Sequence, residues 1–177
     1  YHGLPRDLYA FQPRPADYLL FFGRISPEKR ADRAIAIARR CGIDLKIGAK
    51  VDRADSEYFT REIQPLLDGR GIEYLGEVAQ ADKADLLGRA RCLLFPIAWP
   101  EPFGLVMIEA MACGTPVVAY RMGSVPEIVE DGVTGFIVDD LDGAVVATRR
   151  AIDLDRRRCR EAFERRFTDG RMTRDYV

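Results

Sequence analysis

Apolar runs alternate with helical patterns along most of this 177-residue chain, and that alternation constrains the fold more than any other feature. Residues 18–22 (YLLFF), 43–47, 72–75, 92–96, 116–120 and 135–138 are short, apolar-rich and bounded by glycine or polar loops. Each reads as a strand of a buried sheet. Helical patterns lie between them. After 18–22, Ser26 is placed to cap a helix with Pro27 at its first position, and Ala34, Ile35, Ile37 and Ala38 supply its apolar face. Residues 54–68 read as a helix whose last turn Pro65 should kink or shorten, ended by Gly69 and Gly71. A short helix is expected over 84–90 and two more over 140–152 and 155–167, while 168–177 begins a terminal one. Strand and helix alternate about six times, without internal sequence repeat. The expected fold is therefore α/β, a doubly wound parallel sheet of about six strands with helices on both faces. Ligands in such sheets bind beyond the carboxyl ends of the strands, near a topological switch point.

The stretch 99–140 (WPEPFGLVMIEAMACGTPVVAYRMGSVPEIVEDGVTGFIVDD) organises the rest. Glu101, before Pro102, is pushed out of the helical region. Residues 103–112 carry strong helix formers, and Gly114 with Pro116 stops them. One acid, Glu101, stands just before this helix and another, Glu109, lies inside it. A helix start leaves amide groups unpaired and carries partial positive charge, which suits a phosphate. Gly104 lets a ligand approach the backbone closely. Two carboxylates flanking such a site suit a ligand with hydroxyls on both sides of a diphosphate, the shape of a nucleotide sugar. Read alone, Glu101 is equally an acid well placed at a helix start and Glu109 an ordinary helical glutamate.

At these residues the chain resembles the family 4 retaining glycosyltransferases. Glu101 and Glu109 form the E-x7-E motif of that family within EPFGLVMIEAMACGTPVV, and GSVPEIVEDGVTGFIV is also typical. Gly23-Arg24 with Lys29 matches its G-R-x-x-x-x-K element. The resemblance runs over nearly the whole chain from about Tyr18 onward. It implies the C-terminal, donor-binding half of the GT-B fold, which pairs two Rossmann-like domains. By resemblance, Glu101 contacts hydroxyls of the donor sugar and Glu109 the nucleotide ribose. Phe103, Gly104 and Leu105 lie near sugar and diphosphate. Arg24 and Lys29 neutralise the diphosphate, a task suited to a forked guanidinium and a mobile ammonium. Gly76-Glu77-Val78 resembles the family's F-L-G-x-V, where the base packs near Val78, with Tyr74 in place of its first residue. Lys83 holds a position often close to the donor and reads equally well as a solvated helical lysine. Lys50 reads as a surface lysine able to approach the donor. Many family members have glycine where this chain has Arg30. The resemblance implies no cofactor and no metal, the nucleotide-diphosphate sugar being a substrate.

Charge and composition exclude several alternatives. Lys and Arg number 27 against 28 Asp and Glu, and 47% of residues are hydrophobic. That describes a globular domain with a sizeable core and no net-charge footprint for nucleic acid. No apolar run is long enough to span a bilayer. Cys41, Cys92, Cys113 and Cys159 are widely spaced and read as reduced thiols, three of them buried and Cys159 exposed within an arginine run. His2, in the opening stretch, is the single histidine, which leaves no His-based triad or metal site in the domain body. The arginine run of 156–166 reads as a solvated helix face.

Residues 1–17 read as a linker or loop leading into a domain of 18–177, with an N-terminal acceptor domain expected upstream. The expected function is hexose transfer from a nucleotide-diphosphate sugar, with retention, the present chain alone being inactive in transfer. The alternatives are a non-catalytic nucleotide-sugar-binding module and a GT-B phosphorylase or epimerase domain. A dinucleotide oxidoreductase is disfavoured because GRISPEKR lacks G-x-G-x-x-G. The expected location is the cytoplasm, where nucleotide sugars are made, with peripheral attachment at the cytosolic membrane face open to a full-length protein.

Overall fold

The computed structural model describes residues 2–175. Six strands among them form one all-parallel sheet: β1 (Tyr18–Ile25), β2 (Asp44–Val51), β3 (Ile72–Gly76), β4 (Leu93–Phe95), β5 (Val117–Tyr120) and β6 (Gly135–Val138). Their order is β3-β2-β1-β4-β5-β6. The chain works outward from β1 to β3, crosses back to β4, and works outward again to β6. The switch point thus lies between β1 and β4, where the loops after these strands part. β1 pairs with β2 along its whole length, from Tyr18 opposite Asp44 to Ile25 opposite Val51, but with β4 only at Leu20 opposite Leu93.

Side chains alternate across the sheet, so each strand feeds two cores. Leu19, Phe21, Leu45 and Ile47 face α1 (Ala31–Cys41), the helical segment 53–66 and α6 (Leu141–Ala151). Leu20, Leu93 and Val117 face α3 (Gln80–Arg89), α4 (Leu105–Cys113) and α7 (Arg156–Arg166). A four-residue α5 (Val125–Ile128) and a terminal α8 (Asp169–Asp175) complete the helices. The last two residues of the expected terminal helix, 176 and 177, lie outside the described residues.

Several expectations are corrected. The first helix does not start at Ser26 and Pro27. Lys29 N–H donates to the Ser26 carbonyl at 3.1 Å, closing a turn, and α1 begins only at Ala31. Arg30, just before it, adopts a left-handed backbone (φ 56°, ψ 52°), the one non-glycine to do so among the described residues. That conformation costs an L-residue about 1–2 kcal/mol, offset by hydrogen bonds of 2.7 and 2.9 Å from the Arg30 guanidinium to Asp32. The helix expected over 54–68 is broken into 3₁₀ turns at both ends, one α turn, α2 (Ser56–Tyr58), and a π turn over Phe59–Ile63. Pro65 has no N–H to give its fourth preceding carbonyl, so regular i→i−4 bonding cannot pass through it.

The opening segment has no regular element but is no free tether. Leu4 forms a parallel bridge with Thr168, Gln12 N–H donates to Cys113 and Ala16 N–H to Arg89, and Tyr9 is fully buried. The arginine run is not a uniformly solvated face. Arg156 is buried and donates to the carbonyls of Gln12, Gly88 and Ala90 and to the Thr115 hydroxyl. Arg160 donates to the carbonyls of Arg6, Tyr9 and Ala112. Cys159, between them, is buried, and Cys41 is the partly exposed thiol instead. Burial pushes the Cys159 thiol up to about 12.

Candidate functional site

A cleft of about 270 Å³ opens at the switch point. Its floor is the end of β1 (Phe21, Phe22, Gly23) and the end of β4 with the residue pair Phe95 and Ile97. Its walls are Lys29 from the β1–α1 turn, Lys83 from α3, and Glu101, Gly104, Leu105, Val106 and Glu109 from the loop and first turns of α4. α4 starts at Gly104, whose left-handed φ of 79° suits glycine and whose missing Cβ would meet the side chains of Met107 and Phe95 within 3.1 Å. The Met107 amide closes onto the Gly104 carbonyl at 3.0 Å, and the amides before it have no preceding turn to donate to, so a positive helix end faces the cleft.

The four charges in the cleft are arranged as two couples. Lys29 is hydrogen-bonded and ion-paired to Glu101, and both side chains are mostly buried. Trp99 completes this corner: its indole N–H donates to Glu101 at 3.1 Å, and the Lys29 ammonium lies 5.3 Å from its ring centre. At the other end Lys83 lies 2.6 Å from Glu109 Oε2, with its ammonium 5.0 Å from the Phe22 ring centre. The Lys83 contact is a charge pair in bent geometry, which leaves the buried Oε2 without an aligned hydrogen-bond donor. Glu109 Oε1 accepts from the Tyr9 hydroxyl at 2.9 Å. Glu109 is 7% exposed, so an ionised carboxylate there depends on these partners.

The structure thus brings together Lys29, Lys83, Glu101, Gly104, Leu105 and Glu109. It leaves three expected residues out of the cleft wall. Arg24 is about half exposed and engages Glu28 at 2.9 Å and Asp52 at 3.5 Å. Val78 is not in the lining, and its side chain covers Gly48 together with that of Phe22. The Phe103 ring belongs to the core, edge-on to Phe167 at 6.2 Å between centres, and its carbonyl accepts from the Ser124 hydroxyl at 2.7 Å. Lys50 pairs with Asp52 at 3.4 Å on the surface.

Sequence reasoning missed Tyr9, Gln80, Phe22 and Trp99 as members of the site. It also missed what shapes the Glu101 turn. Ser124 N–H donates to the Glu101 carbonyl at 3.0 Å, and Gly123 (φ 53°) lies so close that a Cβ would fall 2.3 Å from that oxygen. The Gly-Ser pair after Met122 was the available signal. A wider depression of about 530 Å³ between β6 and α6 is lined by four aspartates. All four already have structural partners: Asp131 holds the Ile137 amide, Asp139 pairs with Arg121, Asp140 caps α6 and Asp142 pairs with Arg40.

Comparison with known proteins agrees with this architecture. A D-inositol 3-phosphate glycosyltransferase of Geodermatophilus obscurus is 35% identical over 159 residues, 84% of this chain and 35% of the relative. An alpha-maltose-1-phosphate synthase of Mycolicibacterium smegmatis is 35% identical over 124 residues, 67% of this chain and 32% of the relative. The chain therefore spans about a third of the length of these curated relatives. Among solved structures, AviGT4, a glycosyltransferase involved in avilamycin A biosynthesis, superposes with a TM-score of 0.84 at 30% identity, over 99% of this chain and 55% of that one. An Anabaena protein crystallised with UDP and glucose shares the fold with a TM-score of 0.86 at 22% identity, over 99% of this chain and 54% of that one. No helix among the described residues is long and apolar enough to cross a membrane. The model of the family "Glycosyl transferases group 1" matches residues 11–163, most of the chain, and with the relatives above it shows that the chain belongs to the group 1 glycosyl transferases.

Proposed function

We propose that the chain is the donor-binding domain of a retaining glycosyltransferase, taking a hexose from a nucleotide-diphosphate sugar. The observation that carries this reading is the pair of Lys–Glu couples on either side of the α4 start. A nucleotide sugar has a hydroxyl-bearing ring at each end and a dianionic bridge between them. The carboxylates of Glu101 and Glu109 are acceptors for ring hydroxyls, Glu101 for the hexose and Glu109 for the ribose. The bridge suits the α4 amides and Lys29. Arg24, held at the rim by Glu28 and Asp52, adds positive charge once a phosphate approaches. Phe103 contributes its backbone to the α4 entry, and Val78, outside the cleft wall, packs with Phe22 on the base side.

The chemistry asked of these residues is electrostatic. Departure of the diphosphate develops negative charge on its bridging oxygen, and Lys29, Arg24 and the helix end stabilise it without a metal. Attack from the same face, with the departing diphosphate helping to take the acceptor proton, gives retention. Lys29 cannot serve two anions fully, so donor binding must draw it from Glu101 toward phosphate as Glu101 turns to the sugar. The acceptor site falls to an N-terminal domain, so this chain by itself binds nucleotide and transfers little or no sugar. The full protein works on cytosolic donors.

Calorimetric titration with UDP, GDP and ADP tests the reading. Saturable binding that prefers one base supports it, and absence of binding by all three overturns it for this chain.

A further inference from the structure

Tyr9 reaches the cleft from a stretch of chain with no helix or strand of its own. Hydrogen bonds to its backbone hold that stretch in place. Leu4 bridges Thr168, the Gln12 amide donates to Cys113 at 2.9 Å, the Ala16 amide donates to Arg89 at 2.7 Å, and Arg160 donates to the Tyr9 carbonyl at 2.7 Å. The side chain is 1% exposed. Its hydroxyl lies 2.9 Å from Glu109 Oε1 and 3.2 Å from Gln80 Nε2. A carboxylate only accepts, so the phenol's single proton goes to Glu109 and Gln80 must present its amide N–H. Burial, reinforced by the Glu109 charge, pushes the phenol well above the usual tyrosine range, so it remains a donor at neutral pH.

This arrangement divides the work of the Glu109 carboxylate. Oε1 is held from behind by Tyr9. Oε2 is buried beside Lys83 with no aligned donor, while Glu109 itself lines the cleft. With Lys83 drawn aside, an acceptor oxygen in that place can take hydroxyl donors from a ligand in the cleft. A phenylalanine would fill the same volume. The hydroxyl's proton goes to the carboxylate, 100 residues away in sequence, and Gln80 donates to its oxygen.

We propose that Tyr9 is a positioning residue for the nucleotide site, holding Glu109 in the rotamer that offers Oε2 to the ribose hydroxyls of the donor. The proposal rests on the reading of Glu109 given above. It makes the opening segment part of the binding machinery: a residue upstream of β1 sets how well the chain tells ribose from a sugar lacking its hydroxyls.

The test compares each of UDP, GDP and ADP with its 2′,3′-dideoxy form by calorimetry, on the wild type, Glu109→Gln and Tyr9→Phe. The wild type is expected to prefer the hydroxylated form of the base it selects. Glu109→Gln is expected to remove that preference. Tyr9→Phe is expected to weaken the hydroxylated form about five- to tenfold and to leave the dideoxy form within about twofold, less than direct loss of a hydrogen bond to a charged group because Tyr9 acts through Glu109. If Glu109→Gln keeps the preference, the ribose reading of Glu109 falls and this proposal with it. If Glu109→Gln loses the preference but Tyr9→Phe keeps it, or weakens both forms alike, the proposal alone falls and Tyr9 is a packing residue. Gln80→Leu leaves Tyr9 and its bond to Glu109 in place but removes the donor that helps to orient the hydroxyl. It should give a smaller loss in the same direction, and an unchanged preference in that variant counts against the proposal even where Tyr9→Phe melts early.

Discussion

The Glu109 wall of the cleft is assembled from segments far apart in the chain, whereas the Glu101 wall is made of two turns. Glu109 is held by Tyr9 from the opening segment, Lys83 from α3 and its own helix α4, all in a largely buried setting. Glu101 is held by Lys29 from the β1–α1 turn and by Trp99 two residues away, nearer the solvent. A buried carboxylate on a helix is fixed before the ligand arrives and has few other partners to choose from. A carboxylate on a turn, paired with a mobile lysine, can exchange that partner. The first geometry suits the part of a donor that is bound and kept, the second the part that moves during transfer.

The comparison can be broken from the buried side first. Arg156→Ala removes one guanidinium from four acceptors, among them the Gln12 carbonyl that anchors the Tyr9 segment. The loss is expected to be about 3–5 kcal/mol, because several buried groups lose their donor at once, and denaturant unfolding measures it. Glu109→Ala leaves Lys83 as an uncompensated charge and takes away the proposed ribose acceptor. Nucleotide affinity should fall at least about tenfold by calorimetry, with a stability loss of about 1–3 kcal/mol from the buried Tyr9 hydroxyl left without its acceptor.

The Glu101 side should give smaller and more selective effects. Glu101→Gln frees Lys29 without removing it, so nucleoside diphosphate should bind within about threefold of wild type or more tightly. The same variant should lose any extra affinity for the nucleotide sugar over the diphosphate. Equal losses for both ligands would erase the distinction between the two walls. Arg30→Gly gives the smallest change. It relieves the left-handed backbone, worth about 1 kcal/mol, and gives up the Asp32 pair. Burial by itself would raise the Asp32 carboxyl, but the Arg30 hydrogen bonds and charge outweigh it and hold it below its ordinary 3.8. A depressed carboxylate stabilises above its unfolded value, and that stabilisation is lost as pH falls through the folded one. Melting temperatures of wild type and variant should therefore lie close together at pH 7, and the variant should gain relative to wild type below about pH 3.8.

The sheet was legible because its signals are local. Leu19-Leu20-Phe21-Phe22, Val117-Val118 and Phe136-Ile137 announce buried strands by themselves, and Gly104 and Gly114 bracket α4 as glycines do. The cleft's own charges were legible through their spacing around one helix. What the sequence concealed depends on long-range contact. Nothing around Tyr9 points to Glu109, since the partner is supplied by the packing of the opening segment on α4 and α7. Arg156 and Arg160 look solvated because their neighbours are charged, yet three-dimensional packing turns these two inward while Arg157 and Arg165 stay out. The start of α1 was misplaced because Ser26-Pro27 has the right local chemistry for a cap, and the turn that overrides it closes through backbone bonds alone.

The bridge between Leu4 and Thr168 has a further consequence. The Leu4 amide donates to Phe167 at 2.9 Å and the Asp169 amide to the Leu4 carbonyl at 3.0 Å, so the segment upstream of β1 and the segment after α7 are stitched side by side. The stretch between them is in effect a closed loop with a seam. Its order along the chain is then dispensable to its shape, and a circular permutant, spliced across the seam and reopened at the exposed turn of Arg53 and Ala54, should keep the sheet, both cores and the cleft.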